Sequence, residues 1–382
     1  MKIALVHDYL AQDGGAEAVL RVFQEIWPEA PTYVLFYNRQ TAHESFKDRE
    51  IRTSFLQKMP LIGTKYQWYL PLMPHATESL NLSGFDVVLS STSAFAKGVI
   101  TMPGSLHISY CHTPTRYLWS NSAGYVGDLK YNWFVKQGIN LLLTYLRLWD
   151  SLAAGRVDVF IANSRAVAHR INKFYRRESA VIYPPIETKK FKISDKIGEY
   201  FVSGGRLVSY KRFDLLVRVF NRLGAPLKIF GLGPEYAELK NMAKPNIEFL
   251  GRISDGERAE LLSRALAFIH PQEEDFGLTA VEAMASGRPV IAWPRGGALE
   301  SVVPGLTGEF FEEQNWEDIG GAVIKFKPEK YNPQKIREYA MKFDVAPFRE
   351  NIKNFVENEW KKFQLQHRSR EKAYQASLTF DI

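Results

Sequence analysis

Short apolar runs alternate along the whole chain with segments in which apolar residues recur at helical spacing. Runs typical of buried strands cover residues 2–7, 32–36, 86–90, 107–111, 157–162, 180–183, 200–204, 226–230, 246–250, 265–270 and 289–293. Because parallel strands need a crossover between them, such alternation predicts parallel sheets with helices on both faces. The pattern therefore indicates an α/β protein.

A pair of adjacent prolines, Pro184 and Pro185, marks the expected domain boundary. Two prolines in succession stop a helix or a strand and stiffen a linker. We predict two Rossmann-like, doubly wound domains facing a cleft, over residues 1–186 and 187–344. A C-terminal helix over 345–382 is expected to return to the first domain. The length of 382 residues agrees with two domains.

Two carboxylates bracket a predicted helix start in the second half of the chain. Residues 278–286 have a helical pattern and follow the buried run that ends at His270. Glu274 is expected in the loop before this helix, and Glu282 about one turn into it. Phe276 lies between them, where backbone N–H groups and the positive helix end can bind an anion. A sugar nucleotide, with its phosphates between two hydroxyl-rich ends, suits that layout.

Two further loops follow predicted strands. Gly14 and Gly15 open a predicted helix over 16–27, and their backbone can approach a phosphate, although a plain tight turn is the alternative. Arg206 and Lys211 follow the strand at 200–204 and could converge on a diphosphate, although surface cations are the alternative. The glycine pair does not have the spacing of the dinucleotide fingerprint, which disfavours a nicotinamide enzyme.

His112 directly follows the predicted strand at 107–111. It could hydrogen-bond a sugar or act near the reacting carbon, and a structural histidine is the alternative. The neighbouring Cys111, which is the chain's single cysteine, is expected to be a small buried hydrophobic residue. One cysteine excludes an internal disulfide and fits a reducing compartment. The scattered histidines show no metal-ligand spacing, and the basic residues form no nucleic-acid motif.

The net charge of +7 lies mostly in the first half, where residues 1–190 carry 21 Lys+Arg against 15 Asp+Glu. This excess predicts an anionic partner, such as a membrane surface or a phosphate-bearing acceptor, with an ordinary solvated surface as the alternative. Residues 55–75 and 125–149 mix aromatic, aliphatic and basic side chains, as interfacial segments do. For 139–149 we favour a core helix, so 55–75 is the better membrane candidate.

The apolar stretches of the chain are shorter than a membrane span. The apolar N-terminus is too short for a signal peptide and predicts a strand. We therefore expect a cytoplasmic protein. With the basic first half, we expect peripheral contact with the anionic inner face of the cell membrane.

Taken together, these residues resemble the family 4 retaining glycosyltransferases, which have the GT-B fold. Within that family they are similar to bacterial mannosyltransferases of surface-polysaccharide assembly. The segments that carry the resemblance are 272–290, 204–211, 231–234, 249–254 and 110–119. Asp275 departs from the family pattern, which commonly has glycine there, and its carboxylate is expected to point away from the phosphate.

The resemblance implies a role for each matching residue. Glu274 would steady the positive charge that develops at the anomeric carbon, and His112 would contact the sugar. The implied donor-binding residues are Gly14, Gly15, Arg206, Lys211, Ile253, Phe276, Gly277, Leu278 and Glu282, with Arg206 and Lys211 on the diphosphate, Glu282 on the ribose and Ile253 beside the base.

The implied activity is transfer of a hexose, with retention, from a nucleotide sugar to a lipid-linked saccharide. Mannose from GDP-mannose is the first choice of donor. Because Arg206, Lys211 and the helix end can stabilise the departing diphosphate, neither a metal nor another cofactor is expected. The alternatives are a UDP-sugar enzyme of the same fold and a non-catalytic sugar-nucleotide-binding subunit. The sequence leaves open the acceptor, the linkage and the choice between front-face and covalent mechanisms.

Overall fold

The computed structural model describes residues 1–120 and 132–378. Its contacts divide the chain into two compact units. The first comprises residues 1–182 with the C-terminal stretch that begins at Arg349, and the second is Tyr183–Phe348. Each unit contains one parallel sheet with helices packed on it, which confirms the predicted pair of Rossmann-like folds.

The sheet of the first unit has the strand order β3-β2-β1-β4-β5-β6-β7, with every pairing parallel. Its strands are β1 Ile3–His7, β2 Thr32–Val34, β3 Ile51–Thr53, β4 Val87–Thr92, β5 Leu106–Cys111, β6 Val159–Ala162 and β7 Ser179–Val181. The described α-helices are α1 Gly15–Ile26, α2 Ile62–Lys65, α3 Met73–Glu78, α4 Trp133–Gly155 and α5 Arg165–Tyr175.

The sheet of the second unit has the order β10-β9-β8-β11-β12-β13 and is also parallel. Its strands are β8 Phe201–Gly204, β9 Leu227–Phe230, β10 Ile247–Gly251, β11 Phe268–His270, β12 Val290–Ala292 and β13 Gly308–Phe310. Its helices are α6 Phe213–Leu223, α7 Tyr236–Met242, α8 Asp255–Arg264, α9 Leu278–Ala285, α10 Ala298–Ser301, α11 Trp316–Lys325 and α12 Pro333–Ala340, and α13 Val345–Leu378 follows.

Two edge strands, β3 and β13, are absent from the sequence-based prediction. Each has three residues and one neighbouring strand. In β3, Arg52 and Thr53 are exposed, so the strand has no apolar run. The first residue of β13, Gly308, lies so close to β12 that a Cβ there would be 2.0 Å from the Val290 carbonyl oxygen. Apolar runs reveal strands buried on both faces, and these edge strands are not buried in that way.

The strand order reverses between β1 and β4 in the first unit, and between β8 and β11 in the second. In doubly wound sheets, ligands bind beyond the carboxyl ends of the strands at such reversals, because the following loops diverge there and leave a crevice. The loops after β1, β8 and β11 carry most of the candidate residues. The fold therefore places the predicted chemistry where this architecture binds ligands.

Candidate active site

Lys211 and Glu274 form the centre of the candidate site in the second unit. Lys211 lies on the loop after β8 and Glu274 on the loop after β11, and the Lys211 Nζ is 2.8 Å from the Glu274 Oε1. Both side chains are largely buried, so each charge offsets part of the solvation that the other loses. A Cβ at Gly205 would lie 3.0 Å from the Lys211 Nζ, so the ammonium group lies close to the backbone of Gly205.

The loop that carries Glu274 is fixed by close backbone packing. The Gly297 N–H donates to the Glu274 carbonyl oxygen at 2.9 Å. A Cβ on Gly297 would lie 2.2 Å from the Phe276 Cα, so a side chain there would displace the loop. The buried Phe276 ring stacks on Tyr183, with ring centroids 5.4 Å apart. These contacts hold Glu274 in place before any ligand arrives.

The helix predicted at 278–286 is observed as α9, Leu278–Ala285. Gly277 is its N-terminal cap and has a φ of 87°, a left-handed conformation that favours glycine. The first N–H groups of α9 therefore begin at Leu278, three residues after Asp275 and close in sequence to Glu274 of the ion pair. Orphan N–H groups and the helix dipole make this end favourable for a phosphate.

Glu282 lies one turn into α9 and has a different partner from Glu274. The Arg258 guanidinium approaches it with two nitrogens, Nε at 3.2 Å from Oε2 and Nη2 at 3.3 Å from Oε1. Burial raises the pKa of Glu282 to about 7, and the Arg258 cation opposes that rise. The two glutamates are therefore separately held and suited to different tasks. Sequence analysis missed Arg258 because its contact with Glu282 is tertiary.

The other donor-binding candidates of the second unit lie in varied settings. Arg206 is on the same loop as Lys211 but is exposed, and the ion pair with Glu274 is made by Lys211. Ile253 is partly buried against the apolar cluster of this unit. Leu278, the first residue of α9, packs on the same cluster. The structure thus joins Lys211 to Glu274 and leaves Arg206 able to reach solvent or a ligand.

His270 is a buried residue that sequence analysis counted only as a strand end. Among the described residues, neither of its ring nitrogens has a hydrogen-bond partner. Burial lowers the pKa of His270 to about 4, with Glu274 opposing the shift and Lys211 adding to it. The ring is therefore neutral at neutral pH. It is the last residue of a buried strand, whereas His112 directly follows one.

In the first unit, His112 directly follows β5 and is buried. Its Nε2 lies 2.8 Å from the Ser91 Oγ. Burial lowers the pKa of His112 to about 3, and the nearby His7 adds to the shift. The imidazole is therefore neutral and can act as a hydrogen-bond donor at one nitrogen and an acceptor at the other. Cys111 beside it is fully buried, as expected.

The hydrogen bonds around Ser91 link His7 to His112. The His7 Nδ1 lies 3.1 Å from the Ser91 carbonyl oxygen and 3.1 Å from the Ser91 Oγ. Because a carbonyl only accepts, we assign a proton to the His7 Nδ1. The Ser91 Oγ also lies 2.8 Å from the His112 Nε2, and a hydroxyl can donate to that nitrogen or accept from it. The second ring nitrogen of His112, Nδ1, makes no hydrogen bond among the described residues.

An apolar stripe runs along the exposed face of α4. It consists of Leu141, Tyr145, Leu148 and Leu152, each more than half exposed. The prediction that 139–149 is a core helix is therefore wrong for this face. It holds for the opposite face, where Leu143, Leu146 and Trp149 are buried. Composition alone missed the difference because both faces of the helix are apolar.

Asp150 fixes the orientation of this stripe. It is fully buried on the opposite side of α4 and accepts hydrogen bonds from the Lys97 Nζ at 2.6 Å and the Tyr175 hydroxyl at 2.8 Å. A buried carboxylate with this many donors is costly to move. The helix is therefore pinned with its apolar stripe toward solvent.

The segment 55–75 forms short helical turns that pack on the buried face of α4 in one apolar cluster. Leu61 is 61% exposed and Trp68 is 64% exposed. The Lys65 Nζ lies 5.9 Å from the centroid of the Trp68 ring. Of the second interfacial segment, 125–149, the part that includes Lys130 and Tyr131 lies outside the described residues.

Over the described ranges, no group of three or more His, Cys, Asp or Glu side chains is placed to hold a metal ion. Within those same ranges, no helix has the length and apolar character needed to cross a membrane.

Two Rossmann-like units, with polar and basic loops at their strand reversals, define the class of GT-B proteins. Sequence comparison gives the family. The model for "Glycosyltransferase Family 4" matches residues 14–190, and the model for "Glycosyl transferases group 1" matches residues 186–343. The chain belongs to the family 4 glycosyltransferases.

Relatives of known name support this assignment. The chain is 24% identical over 328 residues to an alpha-1,3/1,6-mannosyltransferase, ALG2, of Dictyostelium discoideum, covering 71% of this chain and 74% of the relative. It is 29% identical over 215 residues to ALG2 of Mus musculus, covering 46% of this chain and 52% of the relative. An uncharacterized glycosyltransferase of Methanocaldococcus jannaschii is 27% identical over 184 residues, covering 47% and 52%. The chain thus spans about half the length of the last two relatives.

Solved structures share the fold over nearly the whole chain. HepE of Anabaena, in complex with UDP-glucose, superposes with a TM-score of 0.69 at 17% identity, covering 94% of this chain and 100% of that one. The sucrose-phosphate synthase of Thermosynechococcus elongatus superposes with a TM-score of 0.70 at 15% identity, covering 95% and 100%. At these identities the likeness shows the fold alone.

Proposed function

We propose that the chain is a retaining glycosyltransferase that moves a hexose from a nucleotide sugar to a lipid-linked saccharide. Mannose from GDP-mannose is the favoured donor, and the mannosyltransferase relatives support that choice. The observation that carries the proposal is the Lys211–Glu274 pair at the strand reversal of the second unit, beside the N-terminus of α9.

The charges of this pair match those of the reaction. When the bond between the anomeric carbon and the phosphate oxygen breaks, the diphosphate leaves with negative charge and the sugar ring becomes positive. Lys211, Arg206 and the α9 N-terminus would stabilise the diphosphate. Glu274 would face the sugar. A fixed cation and a fixed anion need little reorganisation when the charges separate.

The remaining residues would bind and orient the substrates. Glu282, held by Arg258, would accept hydrogen bonds from the ribose hydroxyls, which would offset the cost of burying its carboxylate. The His112 Nδ1, which has no partner among the described residues, would hydrogen-bond a sugar hydroxyl. In the front-face form of the mechanism, the acceptor hydroxyl gives its proton to the departing phosphate oxygen. The new glycosidic bond then forms on the face that the diphosphate left, which retains the configuration.

Two exposed segments of the first unit support a lipid-linked acceptor. The stripe on α4 and the exposed residues Leu61 and Trp68 offer apolar contacts, and the two segments pack in one cluster. Every charged side chain that reaches solvent along residues 55–75 and 133–155 is basic, since Asp150 is buried. Apolar and basic side chains together suit the surface of an anionic membrane. Docking there would bring the enzyme to a lipid-linked substrate.

Removing the stripe tests this part of the proposal. Replacing Leu141, Leu148 and Leu152 with serine is expected to weaken binding to vesicles of phosphatidylcholine and phosphatidylglycerol by about tenfold or more, because apolar surface no longer enters the interface. Co-sedimentation measures the bound fraction. The matched control replaces Leu299 and Ile324, exposed apolar residues of the second unit, with serine. Equal vesicle binding by the stripe variant and the control would contradict the assignment.

Transfer is expected to proceed without a metal ion. The Lys211 cation, Arg206 and the α9 N-terminus would carry out the charge stabilisation that a divalent cation provides in other enzymes. Initial rates measured with excess EDTA should therefore equal those measured without it. If EDTA abolished the activity and Mn²⁺ restored it, the assignment of these groups to the diphosphate would be wrong.

A thermal-shift panel tests the donor directly. A true donor stabilises the folded protein by mass action, by about 2.7 kcal/mol at a concentration 100 times its Kd. GDP-mannose is expected to raise the melting temperature, compared with UDP-, ADP- and dTDP-sugars at equal concentration. A shift with a UDP-sugar alone would replace the GDP-mannose assignment with the UDP-sugar alternative. The absence of any shift would count against a nucleotide-sugar enzyme.

A further inference from the structure

Glu17 stands out as a buried carboxylate with an unused oxygen. It lies in the first turn of α1 and is 2% exposed. Its Oε1 is 4.0 Å from the His7 Nε2, and its Oε2 has no hydrogen-bond partner among the described residues. An unpartnered polar atom in a folded interior costs free energy, most of all on a charged group. Such an atom marks a position where a ligand group or an ordered water can bind.

The proton positions around His7 show what the site lacks. The His7 Nδ1 carries a proton, because it donates to the Ser91 carbonyl oxygen. In a neutral ring the His7 Nε2 is then an acceptor, and it faces a carboxylate that also only accepts. A second proton on His7 would pair it with Oε1 at 4.0 Å, but would still leave Oε2 without a partner. In both states the Glu17 Oε2 has no hydrogen-bond donor among the described residues.

Gly14 leaves space next to this buried oxygen. A Cβ at position 14 would lie 3.0 Å from the Glu17 Oε2, so a side chain would fill that space. The φ of Gly14 is −149°, an extended conformation that any residue adopts. Backbone geometry therefore does not require glycine at this position. The absent side chain leaves this space free at the strand reversal of the first unit.

We propose that Glu17 and His7 form a binding site for the hydroxyl groups of a sugar, reached past Gly14. The proposal rests on the function proposed above. Two sugar hydroxyls would supply the missing donors, one to the Glu17 Oε2 and one to the His7 Nε2. A phosphate at neutral pH is an anion that mainly accepts hydrogen bonds, so the Glu17 carboxylate repels it. The site thus favours hydroxyls at the Gly14 side of the loop, where the resemblance implies a diphosphate.

The same residues link this site to His112. The His7 Nδ1 lies 3.1 Å from the Ser91 Oγ, which lies 2.8 Å from the His112 Nε2. His7, Ser91 and His112 therefore form one hydrogen-bonded chain, and Glu17 lies at its His7 end. A sugar hydroxyl can both donate and accept, so this mixture of groups suits a polyhydroxyl ligand.

Three variants of the full-length chain test the site. Glu17→Gln replaces one carboxylate oxygen with an amide, and Gly14→Ala covers the Oε2 without straining the backbone. Asp13→Asn is the matched control, because Asp13 is an exposed carboxylate of the same loop that pairs with Arg21. Calorimetry measures binding of GDP and of GDP-mannose, and steady-state rates give the KM for the acceptor. The folded state of each variant is checked by its melting temperature.

We expect Glu17→Gln and Gly14→Ala to weaken the sugar-dependent step by about 10- to 100-fold, the range for a hydrogen bond to a charged group, with GDP binding unchanged. Loss of GDP-mannose affinity would assign the hydroxyls to the donor. Unchanged donor affinity with a raised KM for the acceptor would assign them to the acceptor.

Two results would overturn the inference. One is that both variants bind and turn over like Asp13→Asn, and the other is that GDP itself binds more weakly by the same factor as GDP-mannose. Failure of the proposed function has a different signature, since wild-type protein would then neither bind nor consume any nucleotide sugar. Gly14→Ala keeps the test decisive if Glu17→Gln does not fold, because position 14 lies on a partly exposed loop.

Discussion

Replacing Glu274 with glutamine lowers turnover by about 10²- to 10³-fold while GDP still binds, if Glu274 faces the sugar as proposed. The amide keeps the volume of the side chain but removes the negative charge that would stabilise the developing positive charge. The nucleoside diphosphate keeps all of its proposed contacts, because these are made by Lys211, Arg206 and the α9 N-terminus. Steady-state rates and calorimetry with GDP measure the two effects separately.

The neighbouring Glu273 supplies the matched control for this variant. Glu273→Gln makes the same chemical change one residue away, at a position with no role in the proposed mechanism. We expect it to keep near wild-type turnover. Wild-type turnover in Glu274→Gln would remove Glu274 from the reaction, and equal losses in both variants would point to a general disturbance of the loop.

Replacing Arg206 and Lys211 together with alanine is expected to weaken GDP binding by about 100-fold or more. Each charge-assisted hydrogen bond to a phosphate contributes about 1.5–3 kcal/mol, and the double variant loses both cations. Calorimetry with GDP measures the loss. The single Arg206→Ala variant is informative as well, because Arg206 is exposed and its removal leaves the Lys211–Glu274 ion pair intact.

The control for the double variant replaces Lys228 and Arg264, two partly exposed cations of the same unit, with alanine. Lys228 pairs with Glu248 and Arg264 with Glu260. The net charge of this control equals that of the double variant, so a general electrostatic effect would weaken GDP binding in both. Unchanged GDP affinity in the Arg206/Lys211 variant would refute their assignment to the diphosphate.

The fold was largely predictable because most of its strands are buried on both faces. Such strands appear as continuous apolar runs, and those runs correspond to all the inner strands and to the edge strands β7 and β10. The edge strands β3 and β13 were missed because their sequences, Ile-Arg-Thr and Gly-Glu-Phe, contain no apolar run. The exposed stripe of α4 was not predicted because leucines lie on both faces of the helix, so the sequence does not indicate which face is buried.

The candidate site was predictable where a residue lies between a buried strand and the next helix. Glu274, Lys211 and His112 all lie in loops that follow a buried strand. Contacts made across the sheet left no trace in the local sequence. His7 and Ser91 meet because β1 and β4 pair in that register, and Ser91 is one of two adjacent serines in its strand. Glu17 had no signal either, since a glutamate in a first helical turn is common and favourable.

Real-time proton NMR of the purified chain with GDP-mannose and a lipid-linked saccharide fraction tests the central claim most directly. We predict that GDP and a glycosylated product appear together, and that the anomeric proton of the product shows the configuration of the donor. A product with the opposite anomeric configuration would contradict retention. If the chain consumed none of the nucleotide sugars of the panel, the proposed glycosyl transfer itself would be contradicted.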